Sequence, residues 1–130
     1  MHICVVAEGY PGINDSAFVF VQQLCNALAD NGVTVSVIAP QSITKAIIRR
    51  RNLDPVESII LTKNKNKVKV YRPYILTIGG VKGFLKMIVD KVTSYVISRE
   101  VNRMREMPDI CYGHFWHTAY NVYPAANKYG

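Results

Sequence analysis

His114 and a glycine-rich loop near the N-terminus are the residues of this sequence best suited to chemistry. His114 follows a short apolar segment, residues 110 to 113, that is typical of a strand. Open α/β sheets bind their ligands outside the carboxyl ends of their strands. An imidazole ring at that edge can donate or accept a hydrogen bond, so we predict His114 as the catalytic residue. A histidine with a purely structural role is the alternative.

The loop spanning residues 9 to 16 directs backbone N–H groups and a helix start at one point, which suits a phosphate or a sugar hydroxyl. We predict that Gly12, Asn14, Asp15 and Ser16 bind substrate, whereas a simple turn with a helix cap is the alternative. The loop has neither the Gly-x-Gly-x-x-Gly nor the P-loop pattern, and no acid follows the second predicted strand. A nicotinamide-dependent epimerase or dehydrogenase is therefore disfavoured.

Nucleophilic and metal chemistry find little support. The sequence has no Gly-x-Ser-x-Gly elbow, and its three histidines form no His-Glu-x-x-His motif. The three cysteines lie in apolar segments without Cys-x-x-Cys spacing, which indicates buried, reduced thiols rather than a disulfide framework. We expect no metal ligands and no cofactor.

Composition limits the class of protein. The chain has 130 residues, 49% of them hydrophobic, enough for the core of one domain spanning residues 1–130. It carries a net charge of +7, which suits an anionic partner, yet it lacks the aromatic and basic pattern of a nucleic-acid surface. No run is apolar enough to span a bilayer and no leader pattern opens the chain, so we expect a cytoplasmic protein.

Apolar periodicity gives the elements that would position these residues. It predicts strands at 2–7, 33–39 and 110–114, helices at 17–29 and 82–105, a hairpin from 58 to 71 and a last helix ending near residue 129. Strand, helix and strand within about 40 residues indicate a parallel unit. We therefore predict an α/β, Rossmann-like open sheet, mainly parallel, with helices on both faces.

The basic helix at 82–105 has two interpretations. Its apolar positions would cover the sheet, while its six basic residues would face away and could contact anionic lipid. The apolar positions predicted to face the core are Leu85, Ile88, Val89, Val92, Val96, Val101 and Met104.

Two ordered blocks resemble the N-terminal domain of the family 4 retaining GT-B glycosyltransferases. The first runs from Pro11 through the helical pattern at 21–28 and Gly32 to Pro40, and the second is Pro108-Asp109-Ile-Cys-Tyr-Gly-His114-Phe115. Together they cover most of the chain. Asp15-Ser16 stands where the family usually has a Gly-Gly pair, so we expect Gly12 to provide the close backbone approach, or Asp15 to bind an acceptor hydroxyl.

The resemblance implies the acceptor-binding domain of an enzyme that transfers a sugar, with retention, from a nucleotide-sugar co-substrate to a glycan or glycolipid in polysaccharide biosynthesis. It implies metal-independent chemistry, a donor-binding domain outside these residues, and no activity for this chain alone. His114 would contact the reacting sugars. From their position in the sequence, Trp116 and His117 are predicted to line the same crevice and bind substrate, and the alternative is that they only begin the last helix. A non-catalytic binding or scaffold module is the alternative, and self-association through an exposed strand edge is expected.

Overall fold

The computed structural model describes residues 1–12, 16–80 and 82–129, with only the backbone at positions 116, 117 and 129. The chain is an α/β protein with a five-stranded mixed sheet and a separate two-stranded pair. Its elements, in chain order, are β1 (His2–Val6), α1 (Val19–Asp30), β2 (Thr34–Ile38), β3 (Gln41–Ser42), α2 (Ile43–Arg49), β4 (Glu57–Leu61), β5 (Lys67–Tyr71), β6 (Tyr74–Ile75), α3 (Phe84–Arg103), β7 (Ile110–Gly113) and α4 (Trp116–Tyr129).

The main sheet has the strand order β4-β5-β2-β1-β7. Strands β5, β2, β1 and β7 are parallel, and β4 joins as the antiparallel arm of a hairpin with β5. If only the parallel strands are numbered along the chain, β1, β2, β5 and β7 are strands 1 to 4, and their order across the sheet is 3-2-1-4. This is the strand order of one half of a Rossmann sheet extended by the next strand. The prediction of a Rossmann-like, mainly parallel sheet is confirmed, and the strand order reverses between β1 and β7.

Helices cover both faces of the sheet because the strands alternate buried side chains. On one face, Val5 and Val37 pack with the α1 residues Val21 and Cys25. On the other face, Cys4, Val6 and Ile38 pack with residues of α3 and α4. Strands buried on both sides are mainly apolar, and β1 and β2 follow this rule except at His2, Thr34 and Ser36.

Helix α1 begins later than the capping pattern predicts. Its N-cap is Phe18, which has a φ of 64° and makes no side-chain capping bond. Ser16, predicted as a cap and substrate ligand, lies exposed before this turn, and Asn14 and Asp15 lie outside the described residues. The C-terminal signal is confirmed, because Gly32 takes a φ of 82° and its N–H bonds to the carbonyl of Ala29 at 3.1 Å.

The prediction that α3 buries its apolar positions along its whole length is wrong. Only its C-terminal part reaches the core, through Ile97 and Val101, with Met104 just beyond, whereas Leu85, Ile88 and Val92 are exposed. A helix of 20 residues is about 30 Å long. A five-residue strand spans about 17 Å, so a helix of this length extends beyond the sheet that it covers.

The parallel pair formed by β3 and β6 was not expected from the sequence. Gln41 pairs with Tyr74, and Ser42 with Ile75. Two residues are too short for a period of two to be recognised. This pair brings the segments after β2 and β5 together at the carboxyl edge of the sheet.

Candidate functional site at the carboxyl edge of the sheet

His114 lies directly beyond β7, where the strand order reverses. Its backbone N–H donates to the carbonyl of Val6 at 2.8 Å and so extends the pairing of β1 with β7 by one residue. The hydroxyl of Thr118, in the first turn of α4, donates to the carbonyl of His114. Both bonds fix the backbone of His114, which holds the half-buried ring at the point where open α/β sheets form their ligand crevice.

Gly113 is required by the close approach of α4 to β7. A Cβ at Gly113 would lie 2.5 Å from the backbone N of Ala119 and 2.8 Å from its Cβ. Contacts this short do not occur, so only glycine fits between the strand and the helix. In the sequence, Gly113 is only one residue of a predicted strand, and no local pattern indicates that a helix packs against it.

The ring of His114 packs against the aromatic side chains of Phe20, Tyr112 and Phe115. Together with Phe18, which contacts Phe20, these residues form what we call the aromatic shelf. The centroid of the His114 ring lies 4.6 Å from that of Phe115, 5.0 Å from Phe20 and 6.0 Å from Tyr112, while Phe18 contacts Phe20 at 6.0 Å. Phe20, Tyr112 and Phe115 are exposed. Exposed rings that pack against one another edge to face form an apolar surface on which a flat ligand can stack.

Two members of the shelf have strained backbones. Phe18 has a φ of 64° and Phe115 a φ of 74°, both in the left-handed region that bulky residues rarely adopt. Such residues cost of order 1–3 kcal/mol each and cluster at functional sites. One of them, Phe115, contacts His114, and the other, Phe18, contacts its neighbour Phe20, which supports a binding site at the shelf.

A cavity of about 420 Å³ adjoins the shelf and lies outside the carboxyl ends of β1, β2 and β5. We call it the carboxyl-edge cavity. Phe18 belongs to both the shelf and the cavity wall, and Thr118, which bonds to His114, also lines the cavity. His114 itself does not line it. The site therefore has two adjoining parts, an exposed aromatic shelf and a cavity of the size of small-molecule pockets, whose wall combines apolar with charged side chains.

Gln41 holds one wall of this cavity in place. Its side-chain N–H groups donate to the carbonyl oxygens of Asp54 at 2.8 Å and Arg72 at 3.1 Å, and its side-chain oxygen accepts from the N–H of Asp54 at 3.0 Å. Dinucleotide-binding enzymes place an acidic residue after this strand to bind a ribose. Here the side-chain amide of Gln41 is instead hydrogen-bonded to backbone groups.

Of the residues of the N-terminal loop that were predicted to bind substrate, the structure describes Gly12 and Ser16. A Cβ at Gly12 would lie 2.6 Å from Oδ1 of Asp54, so this glycine allows the loop to pack on that carboxylate. The side chains of Trp116 and His117 lie outside the described residues, although their backbone opens α4. The structure thus brings His114 together with the aromatic shelf, and Phe20 and Tyr112 were missed because helix and strand periodicity marks buried faces.

The cysteines include one interacting pair. Cys4 and Cys111 face each other across β1 and β7. A hydrogen bond from Cys4 lowers the pKa of Cys111 to about 7, and the same bond together with burial raises the pKa of Cys4. Burial raises the pKa of Cys25 to about 12. Cys111 is only partly buried, which corrects the expectation of three buried thiols.

Across the described part of the chain, no three His, Cys, Asp or Glu side chains cluster as a metal site would require. Within the same residues, no helix combines the length and the hydropathy needed to cross a membrane. His2 is buried at the start of β1, where its Nε2 lies 2.9 Å from the hydroxyl of Ser36.

The fold and the site together define a Rossmann-like α/β protein with an open crevice at its switch point. Comparisons with protein-family models, curated proteins and solved structures give no match.

Proposed function

We propose that this chain is the acceptor-binding domain of a retaining GT-B glycosyltransferase, which transfers a sugar from a nucleotide sugar to a glycan or glycolipid. The observation that carries the proposal is the position of His114 on the aromatic shelf at the switch point. Sugar rings present flat C–H faces that pack on aromatic side chains, and their hydroxyl groups require nearby polar partners. The shelf and the carboxyl-edge cavity supply these two surfaces side by side.

His114 would position the acceptor and stabilise charge rather than act as a nucleophile. Packing between Phe20 and Phe115 restricts its ring, and the bonds to Val6 and from Thr118 fix its backbone. A preorganised hydrogen-bonding group at the reacting centre stabilises developing charge without reorganisation. The nucleotide sugar would be held by a second domain, so this chain alone would bind the acceptor without turning it over.

The hydrogen bonds of the Gln41 side chain favour this proposal over a nicotinamide-dependent enzyme. Its amide makes three hydrogen bonds to backbone groups, and breaking them to bind a ribose would leave those groups unpaired. We therefore expect no binding of NAD or NADP.

The exposed half of α3 supports binding of the acceptor at a membrane surface. Phe84 is 71% exposed and Leu85 58% exposed, and Lys82, Lys86 and Lys91 are close to them in sequence. Apolar side chains among lysines bind anionic membrane surfaces, and a glycolipid acceptor resides in one. Vesicles with phosphatidylglycerol should bind the chain more strongly than vesicles of phosphatidylcholine alone, and Phe84→Ser should weaken that binding. The same apolar surface favours the alternative, a non-catalytic scaffold module, if a protein covers it instead.

Sugar binding can be tested by NMR titration of the chain with glucose, galactose, mannose and N-acetylglucosamine. The proposal expects shifts at the backbone amides of His114 and Phe20, and loss of those shifts in His114→Ala and Phe20→Ala. Tyr123→Ala is the matched control, because Tyr123 is an exposed aromatic residue of α4 outside the shelf. If no sugar moves the shelf resonances, or if the control loses as much binding as Phe20→Ala, the proposal is wrong.

A further inference from the structure

The wall of the carboxyl-edge cavity carries more basic than acidic side chains. Its basic residues are Lys45, Arg49, Arg51 and Arg72, and its acidic residues are Glu8, Asp54 and Asp90. Asp90 is neutralised from outside the cavity, because its carboxylate lies 2.7 Å from Nζ of Lys86. Lys45 and Arg49 lie one turn apart on α2 and form no ion pair with any residue that the structure describes.

Arg72 is the buried charge of this cavity. It is 4% exposed, and its guanidinium donates to two neutral atoms, the hydroxyl of Ser58 at 2.7 Å and the carbonyl of Pro11 at 3.0 Å. Its Nε has no hydrogen-bond partner among the described residues. Burial lowers the pKa of Arg72, and the negative charge of Asp54 acts in the opposite direction. A buried cation with an unused donor is stabilised by a further anion.

Tyr10 adds a second unused donor to the same wall. It is 5% exposed, its ring centroid lies 6.0 Å from Cζ of Arg72, and its hydroxyl is unpartnered within the described ranges. Burial raises the pKa of Tyr10, which keeps the hydroxyl protonated. Buried polar groups are nearly always hydrogen-bonded, so two unpaired donors on one cavity wall point to a missing acceptor.

We propose that the carboxyl-edge cavity binds a phosphate monoester, with its oxygens accepting from Arg72 and Tyr10 and its charge balanced by Lys45 and Arg49. A phosphate carries about two negative charges and three acceptor oxygens, which matches several donors better than a neutral hydroxyl does. The volume of about 420 Å³ leaves room for more than the phosphate itself. This inference rests on the proposed function and specifies it: the acceptor is a phosphorylated sugar or lipid.

Isothermal calorimetry with inorganic phosphate, glucose 6-phosphate and glucose tests the charge requirement on the full chain. We expect both phosphates to bind, and we expect Lys45→Gln to weaken their binding about tenfold or more, as loss of one charged hydrogen bond would. Lys63→Gln removes the same charge from the exposed turn between β4 and β5, outside the cavity, and should have no effect. Vesicles containing phosphatidic acid, compared with phosphatidylcholine, show whether a lipid-borne phosphate monoester displaces inorganic phosphate.

Tyr10→Phe separates ligand binding from a structural role. Removing a buried hydroxyl without a partner should leave the urea midpoint of the free chain unchanged or higher, and should weaken phosphate binding about fivefold. A fall in the midpoint with unchanged phosphate binding would show that the hydroxyl is structural and would overturn the proposal.

The outcomes also separate this inference from the proposed function. If neutral glucose binds at the shelf and neither phosphate binds, the phosphate site is wrong and the sugar-binding function stands. If phosphate binds in the cavity and no sugar or sugar phosphate binds better than phosphate, the phosphate site stands and the glycosyltransferase proposal fails. If none of the ligands binds, both are refuted.

Discussion

Gly113→Ala should destabilise the chain by forcing α4 away from β7. The added Cβ would lie 2.5 Å from the backbone N of Ala119, whereas ordinary contact begins at 3.4 Å, so one element must move by close to 1 Å. Overpacking of this kind costs about 1–3 kcal/mol. The reduced entropy of the unfolded chain offsets about 0.4–1 kcal/mol, which leaves a net loss of about 1–2 kcal/mol.

Urea unfolding followed by circular dichroism measures this loss. With a slope of about 2 kcal/mol/M, the midpoint should fall by about 0.5–1 M. Gly79→Ala is the control, because an added Cβ there meets nothing within 4 Å, and its midpoint should stay or rise slightly. Hydrogen exchange at the amide of His114, which bonds to Val6, should also become faster. Equal midpoints for Gly113→Ala and the parent chain would refute the close approach of α4.

Four further outcomes are expected. Hydrogen bonds from Thr62 and Asn66 lower the pKa of Asp30 below 3.8, so Asp30→Asn should reduce the free energy of unfolding at pH 6. In urea titrations, the difference between the variant and the parent chain should shrink as the pH falls below 3.8. Iodoacetamide should label Cys111 first, with a rate that rises around pH 7, since its pKa is about 7; equal labelling of all three thiols, seen by mass spectrometry, would contradict this. Gln41→Ala should cost about 1–3 kcal/mol in urea because it unpairs backbone groups of the loop, and an unchanged midpoint would exclude that role. The exposed edge strand β7 should promote self-association. Light scattering that shows only monomer at high protein concentration would contradict this.

Much of the sheet could be predicted because its elements carry local signals. The apolar runs of β1 and β2 and the helical spacing of α1 predicted a parallel unit, and the polar tip at residues 63 to 66 predicted the hairpin of β4 and β5. The position of His114 at a strand end followed from the same pattern. These features depend on the neighbours of each residue along the chain, and apolar runs and periodicity record that kind of information.

The sequence by itself thus determined the class of fold, the order of its main elements and the edge at which His114 lies. The tertiary structure decided which residues meet there: Phe20 from α1 and Phe115 from the loop before α4 close on His114, and Gln41 joins segments 13 and 31 residues away. It also decided that the first half of α3 stays exposed, because a helix can be longer than the sheet beneath it. Contacts between residues distant in the chain depend on strand order and on how far each helix extends beyond the sheet, and neither leaves a periodic signal in the sequence.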